Sequence, residues 1–286
     1  MATTPVSTQP ASSFNTARLT SSLGRLFGIL LVIVIFPLIF GLRLQDFAGV
    51  LQPGILRFLG IGTIATVTAS LVAILLSLPL ATLLALARFS SGKPQRYLSA
   101  IVIESIRAIP VLLLIFYVNN RFPWLARIDR LNLSGLGRTI LGALLSQQGM
   151  AVVIALTLYT AVVNAELIRA GMASLDRGQF EAARSLGMSY WQMMRLIILP
   201  QTYRRVLPPL IAQFTTLVKD TSLGSIIGFV ELQRAAIIIY QQPGYSVMAV
   251  LYVTALIYFV INYLLGKISI AIQQRRGGLP PHIDMG

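Results

Sequence analysis

The chain has 286 residues, 56% of them hydrophobic and only 11% charged, which is too apolar for a soluble domain and reads as a polytopic membrane protein. Its formal net charge of +14 does not indicate nucleic acid, because the bases flank apolar runs instead of collecting on a polar face. There is no cysteine and a single histidine, His282 near the C-terminus, so disulfides, thiolate metal sites and a Ser-His-Asp triad in the core are all excluded.

In chain order, residues 1–25 read as a disordered tail rich in Ser, Thr, Ala and Pro. Arg18 and Arg25 precede the apolar run from Leu26 to Leu42, a pairing that resembles a secretory signal. No small-residue cleavage site follows cleanly, since the run ends in FGLRLQDF, and an uncleaved first span over 26–43 is the favoured reading. A second span covers about Gly62 to Ala87, with Pro79 expected to kink it. Arg88, Lys93 and Arg96 follow around Gly92-Lys93-Pro94, read as a short loop. The third span is expected over about Tyr97 to Val118 and carries Glu104, Arg107 and Pro110. A basic connection leads to a fourth span, about Gly149 to Ile168. The fifth is expected to begin near Val206 after Arg204 and Arg205. Its apolar character breaks at Lys219-Asp220-Thr221-Ser222, as in an interrupted helix whose backbone faces a cavity. The sixth runs from about Val247 to Ile270, and 277–286 form a tail. Tyr252, Tyr258, Phe259 and Tyr263 are expected to face lipid or the interface. With the N-terminus inside, basic residues concentrate in the inner segments, which places both termini in the cytoplasm.

Between the fourth and fifth spans lies the polar stretch Asn164 to Pro200. Asp176 can cap a helix, and Phe180, Ala183 and Leu186 recur at helical spacing. Gly187 is placed to end that helix in a left-handed turn, Ser189 and Gln192 form a capping box for the next, and Pro200 is expected to stop it at Leu199. Two short amphipathic helices around a glycine corner follow from this spacing. Composition alone leaves open whether they bind a partner or form a solvated loop. Glu166 and Arg169 stand at the inner end of the fourth span, as a gate-side pair or as an anchor.

The run EAARSLG, a spacer and IILP resembles the EAA motif of bacterial ABC importer permeases. The wider run ALTLYTAVVNAELIRAG … LPQTYRRVLPPLIAQFTTLVKDTSLGSIIGFVEL resembles their polar amino acid branch, over roughly 60–276. The resemblance implies an all-α polytopic membrane protein with about six transmembrane helices, the type I ABC importer permease fold. Residues 26–43 would be an additional first span. It implies that Gln179, Phe180, Glu181, Ala182, Ala183, Arg184, Ser185, Leu186 and Gly187 form a cytoplasmic coupling helix seated in an ATPase subunit. It also implies a bacterial cytoplasmic membrane location and three partners: an ABC ATPase dimer, a second permease chain, identical or paralogous, and an extracytoplasmic amino acid-binding protein. No GxxxxGK[ST] loop occurs, so ATP and Mg belong to the ATPase, and no catalytic residue, cofactor or metal is expected here.

Charges within the spans need a partner or a polar cavity. Glu104 and Arg107 share a helix face three residues apart, whereas Lys219 and Asp220 are neighbours that a helix points in different directions. Arg107, in ESIRAIP, matches the arginine of the family's Arg-Gly-Thr-Pro motif, and Lys219 and Asp220 match its KDTSL motif. Together with Gln213 and Thr215 they are the candidate substrate path, an arginine suiting a carboxylate and an acid suiting an ammonium group. The competing reading is that these residues knit helices together. An ATP-independent secondary transporter or channel for a small polar solute is the alternative function.

Overall fold

The computed structural model describes residues 35–90, 92–122 and 142–275, and every regular element among them is helical. The tail over 1–25, residues 26–34 of the extra span over 26–43, the centre of the basic connection and the tail over 277–286 lie outside the described residues. Two short turns, Phe36–Ile39 and Leu44–Phe47, lead into α1, Pro53–Phe89. Then come α2, Lys93–Ala108; α3, Val111–Arg121; α4, Gln147–Ala173; and α5, Arg177–Ser185. A single turn, Tyr190–Met193, and a π-helical segment, Met194–Ile198, run into α6, Leu199–Asp220. A 3₁₀ segment, Thr221–Ile227, separates α6 from α7, Leu232–Tyr240, and α8 covers Val247–Arg275.

Among the described residues, α1, α4 and α8 are long and apolar enough to cross a bilayer, and two bent helix pairs raise the possible spans to five. The third span differs from its expected form. It is two helices, α2 and α3, meeting at 98°. Pro110 has no N–H to donate and restricts Ile109, which takes an extended conformation (φ −84°, ψ 125°). Helix α2 begins at Lys93, so the loop expected around residues 88–96 is shorter than the sequence suggested.

Pro200 also behaves differently. It does not end a helix but sits in the first turn of α6. Just ahead of it the chain widens into the π-helical segment, where Leu199 N–H reaches back five residues to Met194 O. The hydrogen-bond register thus slips by one at the residue before the missing donor, and the helix continues. Pro79 likewise lies inside the unbroken α1, and Pro208 and Pro209 inside α6.

Helix α1 is the spine. At about 1.5 Å per residue its 37 residues extend roughly 55 Å, well beyond a hydrocarbon core of about 30 Å. Every fourth residue along one face is small and buried: Ala65, Ala69, Ala73, Ser77, Ala81 and Ala85. Such a stripe lets backbones approach closely where apolar lipid supplies no hydrophobic drive for helix association. Helix α4 answers it with Ala151, Ala155, Ala161 and Ala165, all buried.

Three clusters succeed one another along the spine. Leu59 packs with α7 and α8 at one end. Ala65 to Ile74 pack with α3, α4 and Phe229 in the middle. Ala81 to Leu86 pack with the end of α4, with Ala183 of α5, and with Met193, Met194 and Ile198 at the other end. The polar stretch between α4 and α6 is therefore built onto the end of the spine.

Candidate functional site

The segment from Asp176 to Met193 is an elbow fixed by local chemistry. Asp176 Oδ1 accepts from Gly178 N at 2.7 Å and caps α5. At the other end Gly187 N donates to Arg184 O at 2.9 Å and Met188 N to Ala183 O at 3.2 Å. These are the two bonds of a Schellman termination, and Gly187 takes the left-handed conformation it requires, φ +70°. Ser189 then opens the next turn. Its N–H donates to Gln192 Oε1 at 2.8 Å, and Ser189 Oγ accepts from Gln192 N at 3.3 Å. The expected cap, corner and capping box are all present.

The elbow is keyed into the bundle by one face only. Ala183 is 1% exposed among Leu86, Met172, Met193 and Ile198, and Phe180 stacks on Phe89 at the end of α1 with ring centroids 5.9 Å apart. Gln201 Nε2 donates to Gln179 Oε1 at 3.1 Å, and Arg205 donates to Ser174 O and, at 3.1 Å, to Ser174 Oγ. The opposite face is open. Gln179, Glu181, Ala182, Arg184, Ser185 and Gly187 are exposed, and so are two large apolar groups, Leu186 at 78% and Trp191 at 64%. A rigid corner presenting bare apolar side chains beside charged ones is suited to docking against another surface.

Above the elbow, an ion network ties three helix ends. Glu166 on α4 accepts from Arg169 Nε at 2.8 Å and lies 3.5 Å from Arg88 Nε of α1, and Arg88 Nη2 lies 3.1 Å from Glu104 of α2. The Glu166–Arg169 pair forms as the spacing suggested. Glu104 pairs with Arg88, in the last turn of α1, and not with Arg107 three residues along its own helix. Arg107 is exposed in the last turn of α2, immediately before the 98° bend, and among the described residues it makes no ion pair.

Lys219 and Asp220 close α6 where it tightens into the 3₁₀ segment, which accounts for the break in apolar character. Lys219 is exposed, Asp220 half-buried, and no ion pair joins them. Gln213 and Thr215, also on α6, are half-buried, and Thr215 Oγ1 donates within its own helix, to Ile211 O at 3.3 Å. The site residues thus fall into two groups. The elbow is assembled as one unit, whereas Arg107, Lys219 and Asp220 each stand at a break in a helix.

The 3₁₀ segment ends at Gly228, in the left-handed region at φ +89°, and the chain turns by 46° into α7. The turn is held by a group that sequence reasoning passed over. Glu231 is 0% exposed and accepts from Arg234 N at 2.8 Å, Gln233 N at 2.9 Å, Tyr258 Oη at 3.0 Å and Thr66 Oγ1 at 3.3 Å. One carboxylate thereby caps α7 and joins it to α1 and α8. Tyr258 consequently points inward, and Tyr252 is 7% exposed, so neither faces lipid as the aromatic pattern suggested. A lone acid inside the apolar run IIGFVELQRAAIII was the available signal.

A family model described as "Binding-protein-dependent transport system inner membrane component" matches residues 77–276. The chain is 33% identical over 234 residues to the "Probable glutamine ABC transporter permease protein GlnP" of Bacillus subtilis (strain 168), covering 81% of this chain and 100% of that protein. It is 36% identical over 214 residues to the "Glutamate transport system permease protein GluD" of Corynebacterium glutamicum, covering 75% of this chain and 73% of that one. Among solved structures, the "Crystal structure of an amino acid ABC transporter with histidines" superposes with a TM-score of 0.63 at 30% identity, covering 77% of this chain and 94% of the other. An inward-facing MetNI methionine ABC transporter, at 20% identity and a TM-score of 0.57, shares the fold, with 77% of this chain and 94% of that one covered.

Proposed function

The chain belongs to the family of binding-protein-dependent transport system inner membrane components, and from that premise we propose that it is the permease subunit of an ATP-driven importer that carries polar or charged L-amino acids into the cytoplasm by alternating access. The fold is the all-helical, multi-pass type I permease fold that the resemblance implied. In this reading the permease domain occupies residues 60–276, preceded by an additional span over 26–43. Two permease chains, identical or paralogous, pack around the path. The elbow and both termini lie in the cytoplasm, and an external binding protein delivers the substrate. Hydrolysis belongs to a separate ATPase dimer.

The observation that carries the proposal is the elbow, a doubly capped corner whose inner face locks into the core at Ala183 and Phe180 and whose outer face leaves Leu186 and Trp191 bare. A push on that outer face passes through the Phe180–Phe89 stack to the end of α1 and through Gln179–Gln201 and Arg205–Ser174 to α6. Helix α6 leads to Lys219 and Asp220, so an elbow displacement reaches the path without crossing a flexible loop. Arg107 offers two parallel donors to a substrate carboxylate, and Asp220 an acceptor for its ammonium group. Gln213 and Thr215 line the approach.

The proposal is tested by purifying the chain with its partner ABC ATPase and measuring glutamine and glutamate uptake into proteoliposomes with the cognate binding protein. Stable co-purification and uptake that requires enclosed ATP are expected. Uptake driven by an ion gradient without ATP would favour the secondary-transporter alternative and overturn the proposal.

A further inference from the structure

At the elbow end of the bundle, the last turn of α1 and one flank of α2 line an open cavity of about 540 Å³, bordered by Arg88, Lys93, Arg96, Tyr97, Ala100, Ile101 and Glu104. Its volume lies within the range of about 300–1,000 Å³ typical of small-ligand sites. The charges are unequal. Arg88 and Glu104 neutralise each other at 3.1 Å, whereas Lys93 and Arg96 make no ion pair among the described residues. The site therefore keeps a surplus of two cations.

The same helix carries a bare apolar flank. Tyr97, Leu98 and Ile101 are 69%, 65% and 61% exposed. An anion pocket continuous with exposed apolar side chains, at the end of a membrane span and beside an interfacial tyrosine, matches one kind of molecule: a phosphate headgroup with acyl chains attached. We infer that the cavity between the end of α1 and the start of α2 binds an anionic glycerophospholipid, its phosphate held by Lys93 and Arg96 and its acyl chains lying along Tyr97, Leu98 and Ile101. Arg88 lines the cavity and also reaches Glu166, and its neighbour Phe89 stacks on Phe180. The bound lipid thus borders the groups that seat the elbow. This inference does not depend on which amino acid is carried.

The test uses the complete transporter, purified with its ATPase in detergent, and native mass spectrometry with dioleoylphosphatidylglycerol and dioleoylphosphatidylcholine as probes. The parent protein is expected to bind phosphatidylglycerol in preference. Lys93→Gln with Arg96→Gln should weaken that binding by roughly fivefold for each charge removed, leaving phosphatidylcholine binding unchanged. Lys267→Gln, which removes a cation stacked over Tyr263 in the last span, is expected to change neither. If the double variant does not assemble, the two single variants are read in the same way.

Unchanged phosphatidylglycerol binding in the variants, or an equal loss for both lipids, would overturn the inference. Loss of the ATPase with lipid binding intact would identify the pocket as a protein contact and overturn it too. Displacement of the lipid by millimolar inorganic phosphate would reduce the site to a simple anion pocket.

Discussion

Replacing Gly187 separates the conformation of the elbow's corner from packing within this chain. A Cβ built on Gly187 meets nothing within 4 Å in this chain, so within the chain the cost of adding one is the backbone strain of φ +70°. A non-glycine residue in this left-handed region costs about 1–2 kcal/mol, and β-branched residues lie at or beyond the upper end. The penalty falls on the two bonds that close α5, Gly187 N to Arg184 O and Met188 N to Ala183 O, and therefore on the angle between α5 and the following turn. If productive docking needs that angle, Gly187→Ala should lower coupled uptake roughly fivefold and Gly187→Val by about thirtyfold or more. Gly187→Asn, which tolerates the left-handed region, should remain close to the parent. The assay is ATP-dependent amino acid uptake in proteoliposomes, with ATP hydrolysis and the amount of assembled complex measured on the same preparations. Full uptake by the valine variant at normal assembly would refute the reasoning, and so would an asparagine variant as impaired as valine.

Two further outcomes follow from side chains with opposite surroundings. Glu231→Ala removes the acceptor for two backbone N–H groups and two hydroxyls in a site with no exposure, and should cost at least about 3 kcal/mol, read as a lower melting temperature in detergent. Glu231→Gln keeps acceptors for most of those donors and should lose much less, so equal melting of parent and alanine variant would contradict the role given to this carboxylate. Arg107→Ala removes no ion pair among the described residues, so it should leave the melting temperature unchanged. It should weaken transport by roughly 10- to 100-fold, the loss of a charge-assisted contact to substrate. Unchanged transport with normal assembly would remove Arg107 from the path.

The elbow was legible in the sequence because each of its devices acts within a few residues: Asp176 on Gly178, Ser189 with Gln192, and Gly187 on its own φ. The interruption after α6 was legible for the same reason, as a polar run breaking an apolar one. Pro200 was misread because local rules treat a proline as a helix stop, whereas the π-helical turn ahead of it absorbs the missing donor. Long-range partners were not legible. Glu231 meets Thr66, 165 positions away, and Glu104 finds Arg88, 16 positions back on α1, instead of Arg107 on its own helix face. Tyr258 looked lipid-facing because nothing near it in the chain announces a buried carboxylate. The alanine stripe on α1 carries no charge or motif, and its purpose appears only once α4 lies against it.

The chain has no cysteine, so a single Leu186→Cys places one reactive thiol on the outer face of the elbow. The most direct measurement is its labelling in intact and opened cells with a membrane-impermeant maleimide and, on separate samples, photo-cross-linking of the assembled transporter through a maleimide–benzophenone reagent attached to that thiol. The account predicts labelling only when the cytoplasmic side is exposed, and a cross-link to the ATPase subunit whose yield changes with ATP. Labelling from outside intact cells, or a fully assembled and active transporter that yields no ATPase cross-link in any nucleotide state, would contradict it.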